Sequence, residues 1–512
     1  MSAHDKLNKP GPKKLLALDA GGVRGLISIE VLAEIERQLQ RAQGLDDTFV
    51  LADYFDYIAG TSAGSITAAG LALGLRVDEL RDFYFRCVNT MFVRANILNR
   101  LYYMYDHSNF AQQLKELVGE DTTLGSEKLK TLLMIVMRNA TNGTSWPVNN
   151  NPGARYNDPQ RPDNNLNIPL WQLIRASNAA PTLFAPEVIE IGRQSYVFVD
   201  GSLTMYANPA FHLFLTSTLE PYGVNWPTGV DKLLLVSVGT GTNSGANANL
   251  KADEMNLLYN VTSIPSALLA SATYEQDMLC RVFGNCLAGD ILDFELGDLT
   301  NVKGPTEQKL FTYVRYNVEL SGAGLSKLGL TSIKPENVQR SDSVEHLDDL
   351  QVIGKAVARA QVREEHFAQF LDVKKAVDVA AVQRVAEVKT PSPQLTIEQG
   401  EEFRGNRVDT SASAGLGGAG GTEAGIDWWR WWVFIKGTPE ELDKIEHVTY
   451  MLHPTFHNPV RKVTDRGSNF RLENVGWGGF RINAKVALKD GSVIPLSHEL
   501  VLHYPDGTET LS

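Results

Sequence analysis

The stretch "YIAGTSAGS", residues 57–65, constrains the fold of this chain more than any other. It places Ser62 between Gly60 and Gly64, directly after an apolar run, and so fits the pattern G-x-S-x-G. In this pattern small neighbours let the backbone make a strained turn from a strand into a helix, which lifts the serine hydroxyl clear of the sheet. The stretch therefore predicts that Ser62 is a nucleophile.

The surrounding chain repeats the same order of elements. Residues 14–345 alternate short apolar runs with amphipathic stretches, which is the pattern of strands and helices in a sheet covered on both faces. "KLLALDAGG" and "FDYIAGTSAGSITAAGLALGL" each indicate a strand, a turn and a helix, and the later runs "SYVFVDG" and "KLLLVSVGTGT" end in glycine. We predict an α/β fold whose strand ends carry candidate active-site loops.

Composition and charge exclude several classes of function. The chain has 512 residues, enough for two or more domains, and a formal net charge of -12. This charge disfavours a nucleic-acid partner and simple electrostatic docking on anionic lipid. No apolar run approaches the roughly 18 residues of a membrane-spanning helix, so no transmembrane span is expected.

Cysteine use and the N-terminus indicate the compartment. The apolar segment that follows the basic N-terminus is too short for a secretion signal. The three cysteines, Cys87, Cys280 and Cys286, lack metal-ligand spacing, which favours buried thiols over a disulfide or metal framework. We expect a cytoplasmic protein, peripheral at the inner membrane surface, that has no metal site and needs no cofactor.

The glycine-rich stretch "DAGGVRG", residues 19–25, fits an oxyanion hole. Gly21 and Gly22 stand at the start of a predicted helix, where free backbone N–H groups and the helix dipole favour negative charge, and Arg24 adds a cation. A nucleotide-phosphate loop and a plain tight turn are the alternatives. The G-x-G-x-x-G spacing does not fit and no G-K-[ST] follows, which disfavours the phosphate loop.

The general base is predicted to be an aspartate. Residues 1–345 contain only His4, His107 and His212, and none of these histidines has a context that suggests catalysis. Asp200 ends the run "SYVFVDGS", where a strand delivers a side chain to the rim of the sheet. Because Asp-Gly is also a common turn pair, a turn aspartate remains the alternative for this residue.

Four stretches in order, "DAGGVRG", "GTSAG", "WQLIRASNAAPTLFAP" and "VDGSLTMYANP", resemble the patatin-like phospholipase family over roughly residues 14–370. The resemblance implies a three-layer α/β/α sheet and a Ser-Asp dyad, in which Ser62 is the nucleophile and Asp200 the base. It also implies that Gly21, Gly22 and Arg24 form the oxyanion loop. One departure is Ala20, where the family usually has a glycine, and we expect altered detail rather than lost activity.

Other segments suggest the domain organisation. Residues 142–169 are rich in Asn, Pro and Gly and predict a long surface loop. We predict an N-terminal tail at residues 1–13, a hydrolase domain at 14–370, a helical segment and Gly/Ala-rich linker at 371–425, and a small β domain at 426–512.

The C-terminal stretches "DWWRWWVFIKG", "YMLHPTFHNP" and "ENVGWGGF" resemble the YEATS domain, an immunoglobulin-like β-sandwich that reads acylated lysine. The resemblance runs from about residue 427 to 504 and implies an acyl pocket between Phe456 and Trp477. A β-sandwich with aromatic packing and no ligand is the alternative. The residues that match the two binding loops are His453, Thr455, Phe456, Gly476, Trp477 and Phe480.

Together these observations predict a serine-dependent lipid acyl hydrolase that acts on phospholipid or another lipid acyl ester, joined to a YEATS-like module that recruits or regulates it. An acylated-lysine protein or peptide is the second expected partner. The sequence leaves two alternatives open, a hydrolase of soluble esters or thioesters and an acyl-lysine-binding protein with a non-catalytic hydrolase scaffold.

Overall fold

The computed structural model describes residues 2–91, 105, 108–242, 257–293, 295–300, 302–371, 395–407, 426–452, 456, 459–476 and 480–505. The chain forms two compact units, residues 1–377 and residues 378–512. Among the described residues, no helix is long and apolar enough to cross a membrane.

The first unit is built on a mixed nine-stranded sheet with the order β5-β6-β3-β2-β1-β7-β9-β8, in which β4 also pairs with β3. Pairs from β3 through β2, β1, β7 and β9 to β8 are parallel, whereas β4, β5 and β6 run antiparallel to their neighbours. The strands are β1 Lys13–Leu18, β2 Tyr57–Thr61, β3 Leu132–Asn139, β4 Thr144–Asn149, β5 Glu187–Ile191, β6 Gln194–Asp200, β7 Leu233–Val238, β8 Asn285–Ala288 and β9 Thr312–Tyr316.

Helices cover both faces of this sheet. Along β1, Leu16 and Leu18 belong to one apolar core, and Leu15 and Ala17 belong to the core on the opposite face, because successive side chains of a strand alternate. The predicted three-layer arrangement is therefore observed. The helices are α1 Ala3–Asn8, α2 Gly25–Gln43, α3 Leu51–Tyr54, α4 Ala63–Leu73, α5 Val77–Met91, α6 Ser108–Val118, α7 Leu170–Ser177, α8 Ala210–Thr218, α9 Leu257–Phe283, α10 Gly322–Lys327, α11 Pro335–Val338 and α12 Leu347–Gln361.

Two predicted irregular segments contain regular structure. Within the predicted tail at residues 1–13, residues 3–8 form α1, and the Lys6 ammonium donates to the carbonyls of Ala52 and Phe55. Burial lowers the pKa of Lys6 to about 8. Residues 142–169 begin with β4, which pairs with β3 in register from Met134 to Asn139, before the chain continues through short turns.

The second unit consists of two antiparallel sheets that share one apolar core. One sheet has the order β10-β11-β14 and the other β13-β12-β15-β16. Along β11, Trp429, Trp431, Val433 and Ile435 are fully buried, as the alternating pattern predicts. The strands are β10 Thr396–Arg407, β11 Ile426–Lys436, β12 Ile445–Met451, β13 Val460–Val463, β14 Leu472–Gly476, β15 Phe480–Leu488 and β16 Val493–Leu500, with a short helix at Pro439–Leu442.

The predicted linker at 371–425 is wrong in part. Its residues 396–407 form β10, which pairs antiparallel with β11 from Thr396 opposite Lys436 to Arg407 opposite Ile426. The unit therefore begins before the predicted boundary at 426. The sequence does not indicate this strand because polar residues outnumber apolar ones in it, and the buried Ile397 stands near its start.

Candidate active site

The register of the sheet brings Ser62 and Asp200 together. Thr61, the last residue of β2, pairs with Val136 of β3, and Asp200, the last residue of β6, pairs with Met137 of β3. Because β3 lies between β2 and β6, both side chains leave the sheet at the same level. Ser62 and Asp200, which are 138 positions apart in sequence, therefore meet at the ends of β2 and β6.

The two side chains form a hydrogen-bonded dyad. Ser62 Oγ donates to Asp200 Oδ2 at 2.8 Å, and Asp200 Oδ1 accepts the backbone N–H of Ser202 at 2.7 Å. Ser62 and Asp200 are 7% and 2% exposed. Burial raises the pKa of Asp200 to about 6, against the hydrogen bonds from Ser202 and Ser62, which lower it. The carboxylate is therefore a stronger base than an exposed aspartate.

The backbone of Ser62 is strained as a nucleophile elbow requires. Its φ of 52° lies in the left-handed region, which non-glycine residues rarely adopt, and α4 begins at the next residue. A Cβ atom at Gly64 would lie 2.4 Å from the carbonyl oxygen of Leu18, so this position needs glycine for the turn to approach β1. The predicted strand–turn–helix context of Ser62 is present.

The glycine-rich loop lines the cavity beside Ser62. Val23 N–H donates to the Ser341 carbonyl at 2.9 Å and Arg24 N–H to the Gly21 carbonyl at 3.2 Å. Within the described part of the chain, the N–H groups of Gly21 and Gly22 have no acceptor. Because α2 starts just beyond the loop, its positive dipole end adds to these donors. The arrangement is suited to binding an oxyanion.

A buried ion pair anchors this loop. Arg315 of β9 donates to both carboxylate oxygens of Asp19, at 3.0 and 2.5 Å, and to Ser237 Oγ at 2.7 Å. The N–H of Ala20 donates to the Ala207 carbonyl at 2.9 Å. The Ala20 amide is therefore not available to an oxyanion in the cavity. The side chain at this position, where the family usually has glycine, therefore leaves the two glycine donors in place. The sequence contains no local signal for Arg315.

Arg24 lines the same cavity and is 9% exposed. Its Nε donates to the Gly21 carbonyl at 3.4 Å, and burial lowers its pKa to about 10, so it remains a cation at neutral pH. A fixed positive charge beside Gly21 and Gly22 raises the affinity of this corner for negative charge.

The dyad opens into a cavity of about 620 Å³. Polar groups surround the glycine-rich loop, where Thr240, Gly241 and Thr242, at the end of β7, complete the wall as predicted from "KLLLVSVGTGT". One part of the lining is apolar and comes from α4, α5 and the segment after α7. Its members are Ile66, Phe83, Cys87, Val88, Leu183 and Phe184.

The histidines of the first unit take no part in the dyad. No histidine is among the described residues that line the cavity. His4 is exposed on α1, His107 lies outside the described residues, and His212 is buried against the ring of Tyr206 at 4.1 Å. Burial lowers the pKa of His212 to about 4.

The cysteines are buried free thiols, as predicted. Cys87 lines the cavity, a position that its sequence context did not indicate. Burial raises the pKa of this thiol to about 12, so it is not a nucleophile at neutral pH. In the described residues, no cluster of His, Cys, Asp and Glu side chains is arranged to hold a metal ion.

The C-terminal unit brings together two of its predicted binding residues. Phe456 makes an edge-to-face contact with Trp431 at 5.9 Å, and a Cβ atom at Gly476 would lie 3.1 Å from Trp431 Nε1 and 3.6 Å from Phe456. His453, Thr455 and Trp477 lie outside the described residues, as does the side chain of Phe480, which begins β15.

Comparisons with known proteins find two family matches in this chain. The family models "patatin-like phospholipase" and "prokaryotic YEATS domain" match residues 16–214 and 429–501. A cGAMP-activated phospholipase of Vibrio cholerae is 31% identical over 239 residues, which cover 44% of this chain and 64% of that protein. A protein of the same name from Escherichia coli is 32% identical over 245 residues, 47% of this chain and 65% of that protein.

Both alignments therefore span less than two thirds of the relative's length. Among solved structures, the yeast AF-9 homolog protein Yaf9 is 27% identical with a TM-score of 0.17, and the match covers 23% of this chain and 70% of that one. From the two family matches, the chain carries a patatin-like phospholipase domain at residues 16–214 and a prokaryotic YEATS domain at residues 429–501.

Proposed function

We propose that the first unit hydrolyses an ester bond of a lipid through a covalent acyl-enzyme, with Ser62 as the nucleophile and Asp200 as the base. The observation that carries this proposal is the 2.8 Å hydrogen bond between these buried side chains, next to two glycine amides without acceptors in the described residues. The apolar wall of the cavity suits a fatty acyl chain.

The residues divide the reaction between them. Ser62 Oγ attacks the acyl carbonyl carbon while its proton passes to Asp200 Oδ2, and the N–H groups of Gly21 and Gly22 receive the oxyanion. When the tetrahedral intermediate collapses, the C–O bond of the ester breaks and the leaving alcohol takes the proton from Asp200. Water then attacks the acyl-enzyme with Asp200 as base, which releases the fatty acid and returns the proton to Ser62.

Purified protein is therefore expected to release fatty acid from phosphatidylcholine liposomes in the presence of a metal chelator. Ser62→Ala protein purified in parallel serves as the blank for contaminating hydrolases. Release from soluble short-chain esters but not from liposomes would support the alternative of a soluble-ester hydrolase. Equal release by wild type and blank from both substrates would contradict enzymatic activity and favour a non-catalytic scaffold.

The pH dependence of hydrolysis is expected to follow Asp200. The carboxylate must be ionised to accept the Ser62 proton, and its pKa is about 6. The kcat/KM for a soluble ester should therefore fall as pH decreases through about 6 and reach a plateau above it. A pH-rate series from 4.5 to 8 measures this, and a profile that does not change between pH 5 and 7 would contradict Asp200 as the base.

For the second unit we infer binding of acylated lysine. This inference is supported by the YEATS family match and by the position of Phe456 and Gly476, which lie next to each other and against the Trp431 ring. Aromatic side chains around a narrow site can stack on a planar acyl amide. Bound to an acylated protein, the unit would recruit or regulate the hydrolase.

Acylated peptides are expected to bind more tightly than the same peptides with unmodified lysine. Phe456→Ala and Trp477→Ala should weaken binding by about 10-fold or more, because hot-spot aromatics dominate such sites. Fluorescence polarisation with acetylated, crotonylated and unmodified peptides measures the difference. The exposed Val493→Ala of β16 is the control, and equal affinity for all peptides would reject this inference.

A further inference from the structure

The segment Ser177–Ala179 contacts both members of the dyad and has no role in the chemistry described so far. It lies within the stretch "WQLIRASNAAPTLFAP", at the end of α7. Its three residues are 0%, 6% and 0% exposed. Buried polar side chains need hydrogen-bond partners, and Ser62 is a partner of both Ser177 and Asn178.

Ser177 holds the amide of the nucleophile. Its Oγ accepts the backbone N–H of Ser62 at 2.9 Å and donates to the Val136 carbonyl of β3 at 2.6 Å. The hydroxyl thus links the strained residue to the strand beside it. Since this N–H is engaged, Ser62 does not offer it to an oxyanion.

Asn178 holds the carbonyl of the same residue. Its Nδ2 lies 3.0 Å from the Ser62 carbonyl, 3.1 Å from Ser65 Oγ and 2.8 Å from the Ile174 carbonyl. Ser65 also donates to the Ser62 carbonyl, through its N–H at 2.8 Å and its Oγ at 2.6 Å. Both backbone polar groups of Ser62 are therefore bound by neighbouring side chains.

The same segment holds the base. The Ala179 carbonyl accepts the backbone N–H of Asp200 at 3.0 Å. The Val136 carbonyl, which accepts the Ser177 hydroxyl, also lies against Gly201, where a Cβ atom would come within 2.2 Å of its oxygen. Ser177, Asn178 and Ala179 therefore form hydrogen bonds with the backbone of both Ser62 and Asp200, and Ser177 is itself bound to Val136.

We propose that Ser177 and Asn178 are positioning residues that keep Ser62 in its left-handed conformation and fix its distance from Asp200. This inference rests on the proposed function, because its purpose is to maintain the 2.8 Å contact between nucleophile and base. A nucleophile displaced by about 1 Å can lose about 100-fold in rate, so the arrangement controls turnover rather than substrate binding.

The test compares Ser177→Ala and Asn178→Ala with two control variants. Each control removes a buried serine hydroxyl or asparagine amide that does not contact the dyad. Ser217, 0% exposed, donates to the Leu213 carbonyl at 2.7 Å, and Asn150, 8% exposed, joins Leu133 N–H to the Thr131 carbonyl. We expect kcat for a soluble ester to fall about 10- to 100-fold in Ser177→Ala and Asn178→Ala, with KM within about 2-fold of wild type. Ser217→Ala and Asn150→Ala should keep wild-type kcat.

Hydrogen–deuterium exchange provides a readout that does not depend on activity. The amide of Ser62 should exchange faster in Ser177→Ala, which removes its acceptor, than in Ser217→Ala at equal thermal stability. If the kcat values and the exchange rates of the two positioning variants match those of the controls, the inference is overturned while the proposed function stands. If wild type hydrolyses no ester, the proposed function fails, and faster exchange would still show the backbone contact.

Discussion

Ser62→Ala and Asp200→Asn are each expected to lower kcat for lipid ester hydrolysis by about 1,000-fold or more. The alanine removes the attacking oxygen. The asparagine keeps the shape of the aspartate, and its oxygen can still accept the Ser202 N–H, but an amide cannot take the Ser62 proton. Fatty acid release from liposomes, measured at equal protein concentration, gives the ratio for each variant.

Asp56→Asn is the matched control for the aspartate. Asp56 is 3% exposed and accepts the Lys14 N–H at 2.8 Å, so it is also a buried aspartate that binds a backbone amide, just before β2. This variant shows how much turnover falls when a buried carboxylate is lost but the proposed base, Asp200, is kept. If Asp56→Asn and Asp200→Asn reduce turnover equally, the role of Asp200 as base would be contradicted.

Gly22→Ala is expected to lower kcat by about 100- to 1,000-fold, the usual cost of one lost oxyanion donor. Gly22 has a φ of 59°, and a Cβ atom would lie 2.2 Å from the Ser341 carbonyl oxygen. Because this contact involves backbone, the loop must move, which displaces the Gly21 and Gly22 amides from the cavity. Steady-state kinetics with a soluble ester measures the effect, which should appear mainly in kcat.

Gly192→Ala separates backbone strain from the steric clash. Gly192 has a similar φ of 65°, but its added Cβ atom would meet its nearest neighbours at an ordinary 3.4 Å, and the residue does not line the cavity. The Gly192→Ala variant should therefore have a lower free energy of unfolding than wild type but the same kcat. Full activity in Gly22→Ala, with an unchanged melting temperature, would contradict the proposed role of the glycine-rich loop in binding the oxyanion.

The local part of the site could be predicted from sequence. The elbow depends on residues within five positions of one another, and Gly60, Ser62 and Gly64 show it directly. Asp200 was predicted because it ends an apolar run. Its contact with Ser62 depends on the pairing of Thr61 and Asp200 with successive residues of β3, and the apolar pattern of a strand does not reveal its partner.

The supporting residues could not be predicted for the same reason. Arg315 lies 296 positions from Asp19, and Ser177 lies 115 positions from Ser62, so their contacts arise only when the sheet forms. The stretch that contains Ser177 is part of the family resemblance, yet nothing in its sequence indicates a hydrogen bond to the nucleophile. Cys87 likewise has the sequence context of an ordinary helix residue, although it lines the cavity.

Active-site labelling tests the central claim, the pairing of Ser62 with Asp200, most directly. Wild-type protein and Asp200→Asn would be incubated with an alkyl fluorophosphonate, and the modified peptides identified by mass spectrometry. We predict a single adduct on Ser62 in wild type, loss of hydrolysis in proportion to labelling, and labelling of Asp200→Asn at least about 100-fold slower. Hydrolysis that persists after Ser62 is fully modified, or an equal labelling rate in both proteins, would contradict the dyad.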